Sequence, residues 1–311
     1  MNRILVSLII LLSIALLCCD SDFTPKGEFR DKPVVYAILD PSQSVQFIRI
    51  SRSYDPPGFN PLAYTAGKTP DIDSVIVSNR LFKYVFIDTL IQKADSKQYL
   101  LFYSTELQPE AGQEYSLRIT RHDGGEINSN IIIPAEPGLD MNGARTYFRT
   151  NEQNTLIISA ANAMNYPPTP GGALIRMWMQ WVDSLSAGLK DTVRTEVPLY
   201  YETLTGGLVP IFPELNRDLS VVFPYNAFAE TVRVIRRKTR ALFLNVISKA
   251  YCLDRNAYGY IQIAHGFNDP LSFRTDLPDF SNIIYGYGVF GGITTDSLSI
   301  FIPRTILKDI Q

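Results

Sequence analysis

The feature that most constrains this chain is a short-wavelength alternation of apolar and polar residues, broken every eight to twelve positions by turn residues. Tyr115, Leu117 and Ile119 alternate with Ser116, Arg118 and Thr120, which is the pattern of a strand with one buried face. His122-Asp-Gly-Gly-Glu126 follows at once and reads as its hairpin turn. Six further segments before residue 135 have strand character: Val34–Leu39, Val45–Ser51, Ser74–Ser78, Tyr84–Asp88, Leu100–Tyr103 and Asn128–Ile133. Seven short strands with turns between them predict a β-sandwich. The 39 Pro and Gly residues (20 and 19) are spread along the chain, so turns recur and no low-complexity tract replaces folded structure.

The run Leu107-Gln-Pro-Glu-Ala-Gly-Gln-Glu-Tyr115 resembles the tyrosine corner of immunoglobulin and fibronectin-type sandwiches. There a tyrosine near the start of a strand returns its hydroxyl to backbone a few residues upstream. Tyr115 takes that structural role. The expected domain spans residues 32–135 and ends in the linker-like Pro134-Ala-Glu-Pro-Gly138. Residues 136–311 read as a second, mainly β domain. Ala173, Ile175, Met177, Met179 and Trp181 line one face of a long strand, and Trp178 points to the other. Further strands are expected at Leu156–Ala160, Thr192–Val197, Leu219–Phe223, Val232–Arg236, Ala241–Ile247, Gly286–Phe290 and Leu298–Ile302. One helix is expected, over 248–265, where Tyr251, Ala257, Tyr258, Ile261 and Ala264 recur at helical spacing before Gly266. The fold class is therefore all-β, an immunoglobulin/fibronectin-like sandwich followed by a β domain with one helix.

The N-terminus carries a different signal. After Arg3, residues 4–17 are uncharged, a length that suits the core of a signal peptide and is short for a spanning helix. No Ala-x-Ala site ends the run; Leu16-Leu-Cys-Cys19 stands there. That pattern resembles the lipobox of bacterial lipoproteins, and it implies cleavage after residue 18 and diacylglycerol on the thiol of Cys19. Cys18 is a departure, because the pattern prefers Gly, Ala or Ser there. Two acyl chains give stable membrane attachment. Asp20 and Asp22 are similar to the acidic surface-export tract of Bacteroidota lipoproteins, although two acids also suit residence on the periplasmic face. Polar residues 19–31, with Pro25 and Gly27, form the expected tether. Of 29 basic residues only Arg3 precedes Cys19, which leaves 28 against 31 acidic ones and no nucleic-acid footprint. Cys252 is then the only thiol left, so no intramolecular disulfide can form.

A family resemblance runs over the whole mature chain. Pro33-Val-Val-Tyr-Ala-Ile-Leu-Asp-Pro41, Phe47-Ile-Arg-Ile-Ser-Arg52, the aromatic helix before Gly266 and Phe280-Ser-Asn-Ile-Ile-Tyr-Gly-Tyr-Gly-Val-Phe-Gly-Gly292 together resemble a Bacteroidota lipoprotein family known as a domain of unknown function. The resemblance implies a lipid-anchored outer-membrane protein, often encoded near TonB-dependent transporters. It implies no catalytic residue and no cofactor.

Gly286-Tyr-Gly-Val-Phe-Gly291 matches a dinucleotide fingerprint by count, but strand-like sequence follows it where a helix is required. It reads as a glycine-permitted close approach inside a sheet, or as a contact made by Tyr285, Tyr287 and Phe290. Arg233, Arg236, Arg237, Lys238 and Arg240 read as a charged hairpin turn, or as a headgroup or partner contact through Arg236 and Arg237. Trp178 is a second-sheet core residue or an exposed binding aromatic. Only two histidines occur, His122 and His265, and no zinc or nucleophile-elbow motif accompanies them. Asp71 and Asp73 share one face of an extended segment and read as a solvated edge. The expected function is non-enzymatic binding or accessory work at the membrane; a surface hydrolase acting on glycans or peptides and an adhesion module are the alternatives.

Overall fold

The computed structural model describes residues 32–53, 71–92, 98–142, 154–183, 192–204, 207–266 and 280–310. The chain divides into two units, Met1–Asp31 with Ser53–Ala66 and Lys32–Arg52 with Gly67–Gln311. All of the first except Ser53 lies outside the described residues, Cys19 included, and the architecture below is that of the second.

The first half is the expected sandwich. Strands β1 (Pro33–Leu39), β2 (Gln46–Arg52) and β5 (Gln98–Ser104) form one layer. Strands β4 (Lys83–Gln92), β3 (Ile72–Ser78), β6 (Glu114–Arg121) and β7 (Glu126–Ile132) form the other. The layers join through β4, whose Val85 pairs with Ile76 of β3 and whose Ile87 pairs with Tyr103 of β5. Period-2 alternation places Val35, Ile48, Val75, Leu117 and Ile127 between the layers, since successive strand side chains point to opposite faces. Tyr115 is 1% exposed, and its hydroxyl accepts the Glu110 N–H at 3.0 Å, which is the tyrosine corner. The β6–β7 turn uses Gly124 at φ +79°, with its N–H bonded to Arg121 O.

One strand was not legible in the first half because it comes from the far end of the chain. β16 (Tyr287–Phe301) is a single 15-residue strand where two short ones were expected. Its residues 287–292 pair in parallel with β1, Tyr287 opposite Val34 and Gly292 opposite Leu39. From Ile293 to Phe301 it pairs antiparallel with β15 (Ala241–Leu253) of the second half. Ile283 and Phe290 are buried in the sandwich core, and Ile284 exchanges both backbone hydrogen bonds with Asn128 of β7. Residues 283–292 thus close the sandwich between its β1 and β7 edges. β16 makes one eleven-stranded sheet of both halves, in the order β11-β10-β15-β16-β1-β2-β5-β4-β3-β6-β7.

The second half continues that sheet with β15, β10 (Gly172–Asp183) and β11 (Thr192–Glu196). A three-stranded sheet faces the same core: β14 (Ser220–Pro224), β9 (Thr155–Ala160) and β8 (Leu139–Asn142). The hairpin β12 (Tyr200–Leu204) and β13 (Gly207–Ile211) stands apart in pairing. Helix α1 (Ala161–Asn165) is one short turn, and α4 (Arg304–Asp309) follows β16. Helix α2 (Tyr225–Lys238) replaces the expected strand Val232–Arg236 and the expected charged hairpin. Phe228, Thr231, Val232 and Ile235 are buried on its inner face, a 3–4 spacing that outweighs the local alternation of Val232, Val234 and Arg236. Arg236, Arg237 and Lys238 fill its last turn, where cations offset the negative end of the helix dipole.

The expected helix over 248–265 is corrected at its start. Residues 248–253 belong to β15, and α3 runs Arg255–Gly266. Asp254 is the reason: its Oδ1 accepts the Ala257 N–H at 2.9 Å and its Oδ2 the Asn256 N–H at 3.2 Å, the N-cap geometry that starts a helix. No helix among the described residues is long and apolar enough to cross a membrane.

Candidate functional site

The corner between β15 and α3 borders a half-open cleft of about 570 Å³. The sandwich contributes Glu114, Asn130 and Ile132 from the ends of β6 and β7; the second half contributes Thr169, Arg255 and Asn256. The linker residue Pro134 and the cis-bonded pair Pro167-Pro168 supply apolar wall. Asn256 Nδ2 donates to Asn130 O at 3.4 Å and joins the two contributions.

Asp254 is the buried acid of this region, 6% exposed. Burial pushes its carboxyl above the ordinary range, and three backbone N–H groups, from Gly292, Ala257 and Asn256, pull the other way. Gly292 N–H donates to Oδ1 at 3.0 Å, and Asp254 N–H donates back to Gly292 O at 2.9 Å. The carboxylate therefore ties α3 to β16 and is held by the fold's own donors. The described lining holds the hydroxyl of Thr169 and the carboxyls of Glu114 and Asp254, and no histidine, serine or cysteine. Among the described residues no three His, Cys, Asp or Glu side chains gather to hold a metal. The cleft can take up a small polar or extended ligand between Glu114 and Arg255, with prolines as walls.

The residues singled out from sequence do not gather into one site. Phe290 is fully buried in the sandwich core and is a packing residue. Tyr285 and Tyr287 stand together at the start of β16, 78% and 42% exposed. Trp178 is half-buried on the outer face of β10, opposite Glu196 in register; beside it Arg176 Nε lies 3.0 Å from Glu196 Oε1. Arg236 is exposed, and its guanidinium bonds within the chain: it donates to Ile310 O and Leu307 O and lies over the Phe243 ring. It fixes the C-terminal segment. Arg237 pairs with Glu230 at 3.4 Å. Asp73 is not a free edge carboxylate either, because Oδ1 sits 2.7 Å from His122 Nδ1. That hydrogen bond and the Asp73 charge raise the histidine above its ordinary value. Cys252 is buried, and burial pushes its thiol up to about 12, so it is inert packing.

The glycines behave as a close-approach motif. A Cβ on Gly288, at φ +101°, would lie 2.0 Å from Val35 O. On Gly291 it would meet the Ala257 Cβ of α3 at 2.8 Å. These contacts let β1 and α3 press against β16.

A feature that the sequence reading missed is an apolar stripe on the outer face of the sandwich. Phe47, Tyr103 and Ile87 sit side by side across β2, β5 and β4. Val85 extends the row, and Leu81 and Phe82 cap it at the β3–β4 turn. Leu81 is 81% exposed; Phe82, Val85 and Ile87 are each 59%. The Asn79 side chain accepts the N–H groups of Leu81 and Phe82 at 3.0 and 2.8 Å, which holds that turn and presents the two apolar side chains. The signal was visible as Leu81-Phe82 between Arg80 and Lys83, in a turn where polar residues normally stand.

No family model matches the chain, and no curated protein matches it.

Proposed function

We propose that this chain is a lipid-anchored, non-enzymatic binding protein of the outer membrane that docks against a co-resident transporter barrel. The observation that carries the binding role is the stripe from Phe47 to Leu81. Contiguous exposed apolar surface on a folded domain marks an interaction site, and Arg80 and Lys83 rim its tip as a polar border does. Anchorage rests on Leu16-x-x-Cys19, and the choice of a transporter as partner rests on the family resemblance. The choice of the cell surface rests on the resemblance of Asp20 and Asp22 to the surface-export tract.

The test is affinity extraction of the C-terminally tagged chain from its own envelope in mild detergent, beside the double variant Leu81→Ser, Phe82→Ser. Both changes fall at exposed turn positions, so the melting temperature should hold. The proposal expects a transporter barrel in near-stoichiometric amount with the native chain and severalfold less with the variant. A native chain that elutes alone overturns it and turns attention to the Glu114–Arg255 cleft, with glycan and peptide hydrolysis as the next assays.

A further inference from the structure

The second exposed cluster lies at the other end of the sandwich and has a different chemistry. Ile283, Ile284, Tyr285 and Gly286 form a tight turn in which Gly286 N–H donates to Ile283 O at 3.3 Å. Tyr285 has φ +65°, the only positive φ outside glycine among the described residues. A turn of this hand normally places glycine or asparagine there. The backbone is held on both sides: Ile283 is buried in the sandwich core and Ile284 is bonded to Asn128 before it, and Tyr287 pairs with Val34 after it. A rigid, strained knuckle therefore thrusts Ile284 and Tyr285 into solvent, 56% and 78% exposed, with Tyr287 beside them. Strain of this kind persists where the surrounding fold over-determines it, and it clusters at working surfaces.

Register places this knuckle where the chain enters the fold. Tyr287 lies opposite Val34, Lys32 Nζ stands 4.7 Å from the Tyr287 ring centroid, and a Cβ on Gly286 would come within 3.0 Å of Pro33 O. The segment before Lys32 is the tether. Its residues 20–31 are 12 in number and span at most ~40 Å when fully extended. The stripe's Leu81-Phe82 turn is at the opposite end of the same strands, about 23 Å away along a seven-residue strand. The tyrosines thus stand at the end of the sandwich where the tether joins the fold, and the Leu81-Phe82 turn stands at the other end of the strands.

We infer that Ile284, Tyr285 and Tyr287, with Lys32, seat the sandwich on the phospholipid surface at headgroup depth. Tyrosine is favoured there because its ring lies among acyl carbons while its hydroxyl stays wet. A lysine at the same level keeps its stem in the apolar zone and its ammonium among phosphates. The seat fixes the orientation of the fold on its tether and points the stripe along or away from the membrane toward a partner. This inference rests on anchorage at Cys19.

The experiment uses the full acylated chain, purified from its own envelope and reconstituted into vesicles of phosphatidylethanolamine and phosphatidylglycerol carrying brominated acyl chains. Tyr285→Trp is the reporter, Tyr287→Trp a second one should the first perturb the turn, and the native chain gives the background of Trp178 and Trp181. We expect quenching about twofold above that background for a ring at headgroup depth. Mass spectrometry of the N-terminal peptide and flotation of Cys19→Ala are read in parallel. A chain that is acylated and floats, but whose reporters are not quenched, overturns the seat and leaves anchorage standing. Reporters shielded from acrylamide in native envelopes yet not quenched by lipid assign the surface to a protein and also overturn it. An N-terminal peptide without acyl mass overturns anchorage and the seat together.

Discussion

The two halves of the molecule bury comparable apolar cores by different routes. In the sandwich nearly every core residue comes from period-2 alternation on seven consecutive strands, yet the layers stay open between β1 and β7 until residues 283–292 arrive from the far end of the chain. In the second half the core is roofed locally, by α2 and the three-stranded sheet over β10 and β15. The lesson is that a domain readable strand by strand can still be incomplete in itself. Its last edge is a long-range contact, and such contacts carry no local sequence signal.

The sharpest way to break this comparison is to remove one large core side chain from each half. Phe290 and Phe228 are both 0% exposed, and each replacement by alanine should cost about 3–5 kcal/mol. If β16 couples the halves into one cooperative unit, urea unfolding of Phe290→Ala followed by far-UV circular dichroism and by Trp178/Trp181 fluorescence will give coincident transitions. A fluorescence transition left at its native midpoint, while the far-UV signal moves, would show that the sandwich unfolds separately.

Next in size is Gly288→Ala. A Cβ placed 2.0 Å from Val35 O, at φ +101°, should cost about 3 kcal/mol or more, because backbone on both strands must move. Gly124→Ala has a similar φ of +79° and nothing within 4 Å, and should cost only about 1–2 kcal/mol. Equal losses by chemical denaturation would mean that β16 is not pressed onto β1 as described.

Asp254→Ala tests the join between α3 and β16 and should cost about 1–2 kcal/mol as a lost N-cap. The native acid has its folded value raised chiefly by burial. Its titration therefore favours the fold most below the unfolded value near 3.8, and that contribution is lost as pH rises through the folded value. Asp254→Asn should flatten this part of the stability–pH curve, and an unchanged slope would place the titration elsewhere.

The smallest effect belongs to the surface of the sandwich. Asp73→Asn should return the His122 titration, followed by nuclear magnetic resonance, toward 6.5 with little change in melting temperature. In the native chain the pair forms below the unfolded histidine value and is lost as pH rises through the raised folded one. A histidine that titrates unchanged would remove the pair.

Much of this was legible in sequence wherever a signal is local. The strand Tyr115–Thr120, its Asp123-Gly124 turn and the corner at Tyr115 follow from alternation, from a residue that tolerates positive φ and from one side-chain hydroxyl. The β10 face from Ala173 to Met179 was read the same way. The misreadings share a cause: Val232–Arg236 alternates over five residues, and only the burial of Phe228, Thr231 and Ile235 against the second core decides for a helix. Asp254 falls inside the helix expected over 248–265, although an acid three residues before a buried alanine is a cap signal. The cleft joins residues 114, 130, 169 and 255, positions that no spacing rule connects.

By itself the sequence determined the class of the fold, the sandwich with its corner and the long β10 strand. All of these depend on neighbours within a dozen residues. The tertiary structure alone decided that β16 completes the sandwich, that Phe290 is buried in its core, that Arg236 binds the C-terminal carbonyls and that the knuckle and the stripe occupy opposite ends. The physical reason is that burial and strand pairing are set by which surfaces meet, and here the surfaces that meet are separated by about 250 residues of chain, from Val34 to Tyr287.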